Sequence, residues 1–216
     1  MADVVALVDG FNVYHALDQR SSHGGFPYRQ YKWIDYWRLC ECFVPQTDRM
    51  VLVQWFTAES PLQGREGKLR RGRHRRLRRA NETRGVQVID GYFRPVTRQS
   101  KLWIPRGFVK FETFEEKRTD VAIAVSLVSL AHQKAYGKAI LMTGDSDLIP
   151  AIQEAKAAHP TGIIINVVPI ERRARALRNY VDQQIRMRVK HLSISKLPLQ
   201  VPGAAGRMIR CPQAWK

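Results

Sequence analysis

Val4-Val5-Ala6-Leu7-Val8 is an unbroken apolar run that stops at Asp9. A strand buried on both faces, as in a parallel sheet, reads this way. Met50 to Phe56, Val86 to Tyr92, Ala139 to Met142 and Ile163 to Val168 predict further strands, and Ile185 to Val189 a short last one. Helical patterns fall between them. Tyr31 to Phe43 places Trp33, Trp37 and Cys40 or Glu41 at helical spacing, and Leu62 to Arg84 is long and very basic. Asp120 to Lys134 is apolar nearly all round and predicts a buried helix. Asp147 to Ala158 accepts Pro150 because it falls in the first turn, and Glu171 to Tyr180 predicts a last helix. Asp9-Gly10-Phe11-Asn12 predicts a turn and residues 18–30 a loop. Residues 94–107 hold two prolines, a glycine and four basic residues, which predicts an inserted loop, with a hairpin against Val109 to Phe114 as the alternative. Residues 196–216 show no period and read as a tail.

Strands alternating with helices imply an α/β fold with a mainly parallel sheet. The expected organisation is one domain over residues 1–192, with a basic helix at 62–84 and an insertion at 94–107, then a C-terminal tail at 193–216. In such sheets a ligand binds beyond the carboxyl ends of the strands, where the strand order reverses.

Composition narrows the function. Among 216 residues, 36 Lys and Arg against 19 Asp and Glu leave a formal charge of +17. That surplus attracts polyanions, with nucleic acid first and an anionic membrane surface second. No apolar stretch approaches the roughly 20 residues that span a bilayer. Three cysteines, with Cys40 and Cys42 too close for a zinc knuckle, predict reduced thiols in a cytoplasmic protein. The apolar run before Asp9 is too short for a signal peptide.

Several carboxylates fall at predicted strand ends or helix starts: Asp9, Asp120 just after Glu115-Glu116, and the pair Asp145 and Asp147. Brought to one rim they would repel and raise one another's pKa, and a divalent cation would relieve this. An all-oxygen donor set favours Mg²⁺ or Mn²⁺ over zinc. Each of Asp120, Asp145 and Asp147 could instead be a helix cap, and Asn12 could close its own turn. Asp9 is harder to explain that way, because a carboxylate ending a buried strand is costly unless something binds it.

Three segments carry a resemblance. Asp9-Gly10-Phe11-Asn12, Glu116-Lys117-Arg118-Thr119-Asp120-Val121-Ala122 and Thr143-Gly144-Asp145-Ser146-Asp147-Leu148 are similar, in order and separation, to the signature segments of NYN domains. These are relatives of the PIN-like nucleases, and the resemblance covers about residues 3–190. It implies a three-layer α/β sandwich and Mg²⁺- or Mn²⁺-dependent cleavage of RNA. It also implies Asp9, Asp120 and Asp145 as metal ligands, Asp147 as an assistant, Asn12 as a positioner of water or phosphate, and Glu116 in an outer shell. Many relatives carry a further acid six residues after the position of Asp120, where this chain has Ser126.

Residues 65–84 hold ten Lys and Arg against Glu66 and Glu82. Leu69, Leu77 and Ala80 would bind one stripe to the sheet, and the basic side chains would fill the rest, forgoing the usual i,i+4 pairs. Arginine forks suit phosphate. Arg70, Arg71, Arg75, Arg78 and Arg79 are therefore candidate nucleic-acid contacts. Arg94, Arg98 and Lys101 join them, because the stretch from Tyr92 through Trp103 to Arg106 interleaves aromatics with cations. The expected function is a metal-dependent endoribonuclease acting on single-stranded RNA or structured loops through an activated water. The alternatives are an RNA-binding module with weak or no turnover, motivated by Ser126, and a phosphatase, disfavoured because Phe11 stands where an aspartyl-nucleophile enzyme wants a second Asp. No membrane partner is expected, and a homo-oligomer is left open.

Overall fold

The computed structural model describes residues 1–20, 25–102 and 107–216. The chain opens with β1 (Asp3–Asp9), α1 (Gly10–Leu17), α2 (Tyr36–Glu41), β2 (Arg49–Thr57), α3 (Gly64–Glu82) and β3 (Gln87–Asp90). A hairpin follows, β4 (Tyr92–Leu102) and β5 (Gly107–Lys117), and then α4 (Thr119–His132), β6 (Lys138–Met142) and α5 (Ile149–Ala158). The last elements are β7 (Ile163–Val168), β8 (Gln183–Arg186), α6 (Val189–Ile194), β9 (Gln200–Pro202) and β10 (Met208–Arg210).

Six strands form one sheet in the order β3-β2-β1-β6-β7-β8, and every pairing in it is parallel. The expected α/β sandwich is what forms. Residues alternate between its two faces: in β1, Val4, Ala6 and Val8 pack under α1, α2 and α3, whereas Val5 and Leu7 pack under α4 and α5. Both faces are covered, which is why the strands read as continuous apolar runs.

Three expectations are corrected and one alternative is decided. Asp9-Gly10-Phe11-Asn12 is no free turn but the start of α1, with Asp9 as its N-cap. Glu171 to Tyr180 forms only a 3-10 turn at Ala176–Asn179, because it buries just Ala174 and Leu177 and lacks an apolar stripe. Of the two readings of 94–107 the hairpin forms: β4 and β5 pair antiparallel in a sheet of their own, with residues 103–106 outside the described residues. The segment 196–216 is packed: Leu197, Val201, Cys211 and Trp215 enter the core under the α1–α3 face, and Trp33 Nε1 donates to the Pro198 carbonyl at 2.8 Å. α4 is also less buried than its composition suggests. Ile123, Leu127 and Ala131 face the sheet, but Val121 and Val125 are 66% and 62% exposed.

α3 is fastened by polar contacts as well as by Leu77 and Ala80. His74 Nε2 and the Thr57 hydroxyl lie 2.9 Å apart, and burial holds this histidine below its ordinary pKa. Buried Asn81 accepts from the Tyr36 backbone N–H and donates to the Ile34 carbonyl, which ties the end of α3 to the start of α2. Cys40, Cys42 and Cys211 are all free thiols. Among the described residues no helix is long and apolar enough to cross a membrane.

Candidate active site

β1 lies where the strand order reverses. β2 and β3 extend the sheet to one side of it, and β6, β7 and β8 to the other. A crevice opens at the carboxyl ends of strands in such a position. Asp9 ends β1 there and is 1% exposed. Its charge is met by three donors. Oδ1 accepts from the Asn12 backbone N–H at 2.9 Å, and Oδ2 accepts from Asn12 Nδ2 at 2.6 Å and from Thr143 Oγ1 at 2.7 Å. The start of α1 adds favourable helix-end charge. Gly10 allows this approach: a Cβ there would stand 2.4 Å from Trp55 Nε1 and 2.5 Å from the Phe56 carbonyl oxygen.

The network continues into the loop after β6. Asn12 Oδ1 accepts from the Gly144 backbone N–H at 3.3 Å, and Thr143 Oγ1 from that of Asp145 at 3.1 Å. Asp145 caps the next turn by accepting from the Asp147 N–H at 2.9 Å. Its capping and site readings are therefore compatible. Asp120 is different. It sits inside the first turn of α4, whose N-cap is Arg118, and the local capping contacts come from Glu116, which accepts from the Thr119 N–H at 3.1 Å and from its hydroxyl. Arg118 takes a left-handed φ of 80°, and its guanidinium lies 4.6 Å from the Tyr92 ring centroid. That costly backbone conformation turns the chain from β5 into α4 and brings Asp120 to the rim.

Partial burial, and then the charges of Asp9, Asp145, Glu116 and Asp147, push the Asp120 carboxyl up to about 6. The five acids named from the sequence therefore share one electrostatic neighbourhood. Ser126 does not belong to it: six residues along α4 places it about 9 Å down the axis and on another face. Among the described residues, no three His, Cys, Asp or Glu side chains converge closely enough to form a metal-binding group. The reason is local, since Asp9, Asp145 and Glu116 spend oxygens on Asn12, Thr143, Asp147 and Thr119. The donor chemistry still suits a hard divalent cation, being all oxygen around a carboxyl that burial and its anionic neighbours make harder to ionise.

Two further side chains neighbour the rim, Arg172, which the sequence did not single out, and His15, which follows the first signature segment and reads from sequence as an ordinary residue. Arg172, after β7, lies beside Gly144, and its buried Nε has no hydrogen-bond partner among the described residues. His15 on α1 is held below its ordinary pKa by burial and then by Arg172, despite the charges of Asp18 and Asp9. Neither stands in a signature segment, so only the fold links them to the acids. The hairpin also roots here. Phe93 meets Phe11 edge to face at 5.5 Å, and a Cβ on Gly91 would collide with Thr119 and Glu116.

The basic candidates divide. Arg70 pairs with Glu66, Arg75 with Glu59, Arg78 with Glu82 and Asp90, and Arg98 with Glu115. Two of these are i,i+4 pairs, so α3 does not forgo them. Arg71 donates to the Ser60 and Leu62 carbonyls and secures the loop before α3. Among the described residues Arg79 and Arg94 make no ion pair. The side chain of Lys101, with Trp103 and Arg106, lies outside the described residues.

The NYN domain family model matches residues 3–188. A crystal structure of a protein of unknown function from Vibrio parahaemolyticus superposes with a TM-score of 0.56 at 14% identity, covering 86% of this chain and 93% of that one. At that identity the likeness concerns the fold alone. No curated protein sequence matches the chain.

Proposed function

The chain belongs to the NYN domain family, and on that premise we propose that it is a Mg²⁺- or Mn²⁺-dependent endoribonuclease working at the Asp9–Asp120–Asp145 rim. The family places it with the PIN-like nucleases. The observation that carries the finer reading is the set of carboxylates gathered around Asp120 at the sheet's switch point. Asp9, Asp120 and Asp145 would hold the cation, which would supply Lewis acidity toward the phosphodiester.

The chain's own groups do the rest. Asn12 and Thr143 hold Asp9 at a fixed angle through hydrogen bonds to both its oxygens. Preorganisation of this kind lowers the reorganisation needed during reaction. Asp147, exposed on the same rim, would take a proton from the attacking water. Arg172 would offset charge on the phosphoryl oxygens. Arg79 and Arg94 are available to backbone phosphates as they stand, whereas Arg70, Arg75, Arg78 and Arg98 would exchange a carboxylate for a phosphate. Three free thiols suit a reducing compartment such as the cytoplasm.

The test is cleavage of mixed-sequence RNA by the purified protein with Mg²⁺ or Mn²⁺, against an Asp145→Asn control. Metal-dependent cleavage lost in the variant is expected. A second reading, an RNA-binding module with little turnover, draws on the engagement of Asp9 by three protein donors. RNA binding without cleavage in either metal would establish it instead.

A further inference from the structure

β10 packs along α3, and between them runs a groove of about 390 Å³ lined by Arg76, Arg79, Arg207, Met208, Ile209 and Arg210. Four arginines, two from α3 and two from the C-terminal segment, line it. Among the described residues none of the four makes an ion pair, although their neighbours Arg75 and Arg78 on the other flank of α3 are both paired. The C-terminal segment that supplies Arg207 and Arg210 cannot neutralise them, because residues 193–216 contain four Lys and Arg and no Asp or Glu. Like charges lining one groove repel one another and favour an anion between them. The two strands hold this arrangement against that repulsion: Ile209 faces Val201 across the β9–β10 ladder, and Val201 is in the core.

We propose that this groove is a second nucleic-acid contact, a track for the phosphodiester backbone of the RNA engaged at the acidic rim, built jointly by α3 and the C-terminal hairpin. It rests on the reading of the protein as an RNA enzyme and adds to it a surface that no signature segment contains. Three features favour a polynucleotide over an anionic membrane. All four cations are arginines, whose planar forks bind phosphate in two-point fashion. The site is a groove between two elements, which fits a chain rather than a plane. Arg73, Arg76 and Arg79 repeat every three residues, about 4.5 Å apart along the axis. Arg73 also makes no ion pair among the described residues, so the series leads from the groove toward the part of α3 level with the carboxyl end of β2, where His74 meets Thr57. Met208, 48% exposed, gives an unstacked base an apolar surface beside the phosphates.

The experiment is equilibrium binding of a fluorescein-labelled 20-nucleotide RNA in EDTA, over a range of salt. EDTA prevents metal-dependent turnover, so binding is read apart from cleavage. Arg207→Gln/Arg210→Gln and Arg76→Gln/Arg79→Gln are compared with wild type and with Lys134→Gln, a single-charge control just beyond the far end of α4. Each double variant should weaken binding at least tenfold and flatten the log–log salt slope by about 1.4, from about 0.7 per lost contact. The control should keep the slope. Arg207→Lys/Arg210→Lys should keep the slope yet bind more weakly, because charge remains and the fork is lost. These side chains are exposed and unpaired, so melting temperatures should stay within about 2 °C of wild type. Unchanged affinity and slope in both double variants would overturn the proposal. So would loss of binding to phosphatidylserine vesicles with RNA binding intact, which would make the groove a membrane contact. If the variants lose RNA binding and the wild type shows no cleavage with metal, the track stands and the catalytic reading fails. If cleavage is confirmed and the slopes do not move, the reverse holds.

Discussion

Replacing Asp120 by Asn should stabilise the metal-free protein at neutral pH and leave it unchanged in acid. The Asp120 carboxyl is held at about 6, against an ordinary value of 3.8, by partial burial and by Asp9, Asp145, Glu116 and Asp147. Below about pH 4 this carboxyl is protonated in both the folded and the unfolded chain, so it costs nothing. Between 3.8 and about 6 only the folded form holds the proton. Above about 6 both are ionised and the full penalty applies. The folded state binds the extra proton, so stability from this group falls as pH rises through that window. At about 1.4 kcal/mol per tenfold change, the displacement corresponds to about 3 kcal/mol at most. Asp120 is only partly buried, and water screens the repulsion, so about 1 kcal/mol is the working figure. For a chain of this length that is about 2–4 °C in Tm. The assay is thermal unfolding in EDTA at pH 7.5 and at about pH 4, for wild type and Asp120→Asn. The variant should melt higher at pH 7.5 and equally at about pH 4. Adding Mn²⁺ should reverse the order, by raising the wild type and not the variant. A variant that melts lower at pH 7.5, or that gains equally at both pH values, would refute the clustering of acids around Asp120.

Other expectations concern the scaffold of the site. Thr143→Val removes the Oγ1 donor from buried Asp9 and should lower stability by about 1–3 kcal/mol, read by urea denaturation at pH 7.5. Gly10→Ala sets a Cβ against Trp55 and the Phe56 backbone, so it should lower Tm sharply and abolish cleavage together. Arg71→Ala should destabilise the loop before α3, seen as faster proteolysis around residues 59–63, because Arg71 holds the Ser60 and Leu62 carbonyls. Arg172→Gln should reduce kcat with little change in Tm; an equal loss in both would make Arg172 a structural residue.

The strands were legible because a sheet covered on both faces makes every inward and outward position apolar, as in Val4 to Val8. Asp9 was legible for the same reason, since a carboxylate closing such a run needs a partner. α1 was missed although Val13, Ala16 and Leu17 mark a helical face, because Gly10 suggested a turn. The packing of 196–216 had no periodic signal: Leu197, Val201, Cys211 and Trp215 reach the core from irregular backbone and short strands. The pairing of Arg75 with Glu59 and of Arg78 with Asp90 joins distant segments and is invisible within the helix. Glu66–Arg70 and Arg78–Glu82 stand at i,i+4 spacing, but the large excess of cations along the helix hid that both pairs form. Arg172 lies 163 residues from Asp9 in sequence and reaches the rim only through the order of the strands.

The central claim, hydrolysis of RNA at the Asp9–Asp120–Asp145 rim, is tested most directly by the ends of the products. Ribonucleases that use the substrate's own 2′-hydroxyl leave a cyclic phosphate and rely on basic groups for proton transfer, whereas this rim offers carboxylates and calls for water as nucleophile with metal assistance. RNA cut by the wild type in Mn²⁺ should carry 5′-phosphate and 3′-hydroxyl ends, and Asp9→Asn, Asp120→Asn and Asp145→Asn should yield none. Products with 2′,3′-cyclic phosphate, formed in EDTA and persisting in the three variants, would contradict the account.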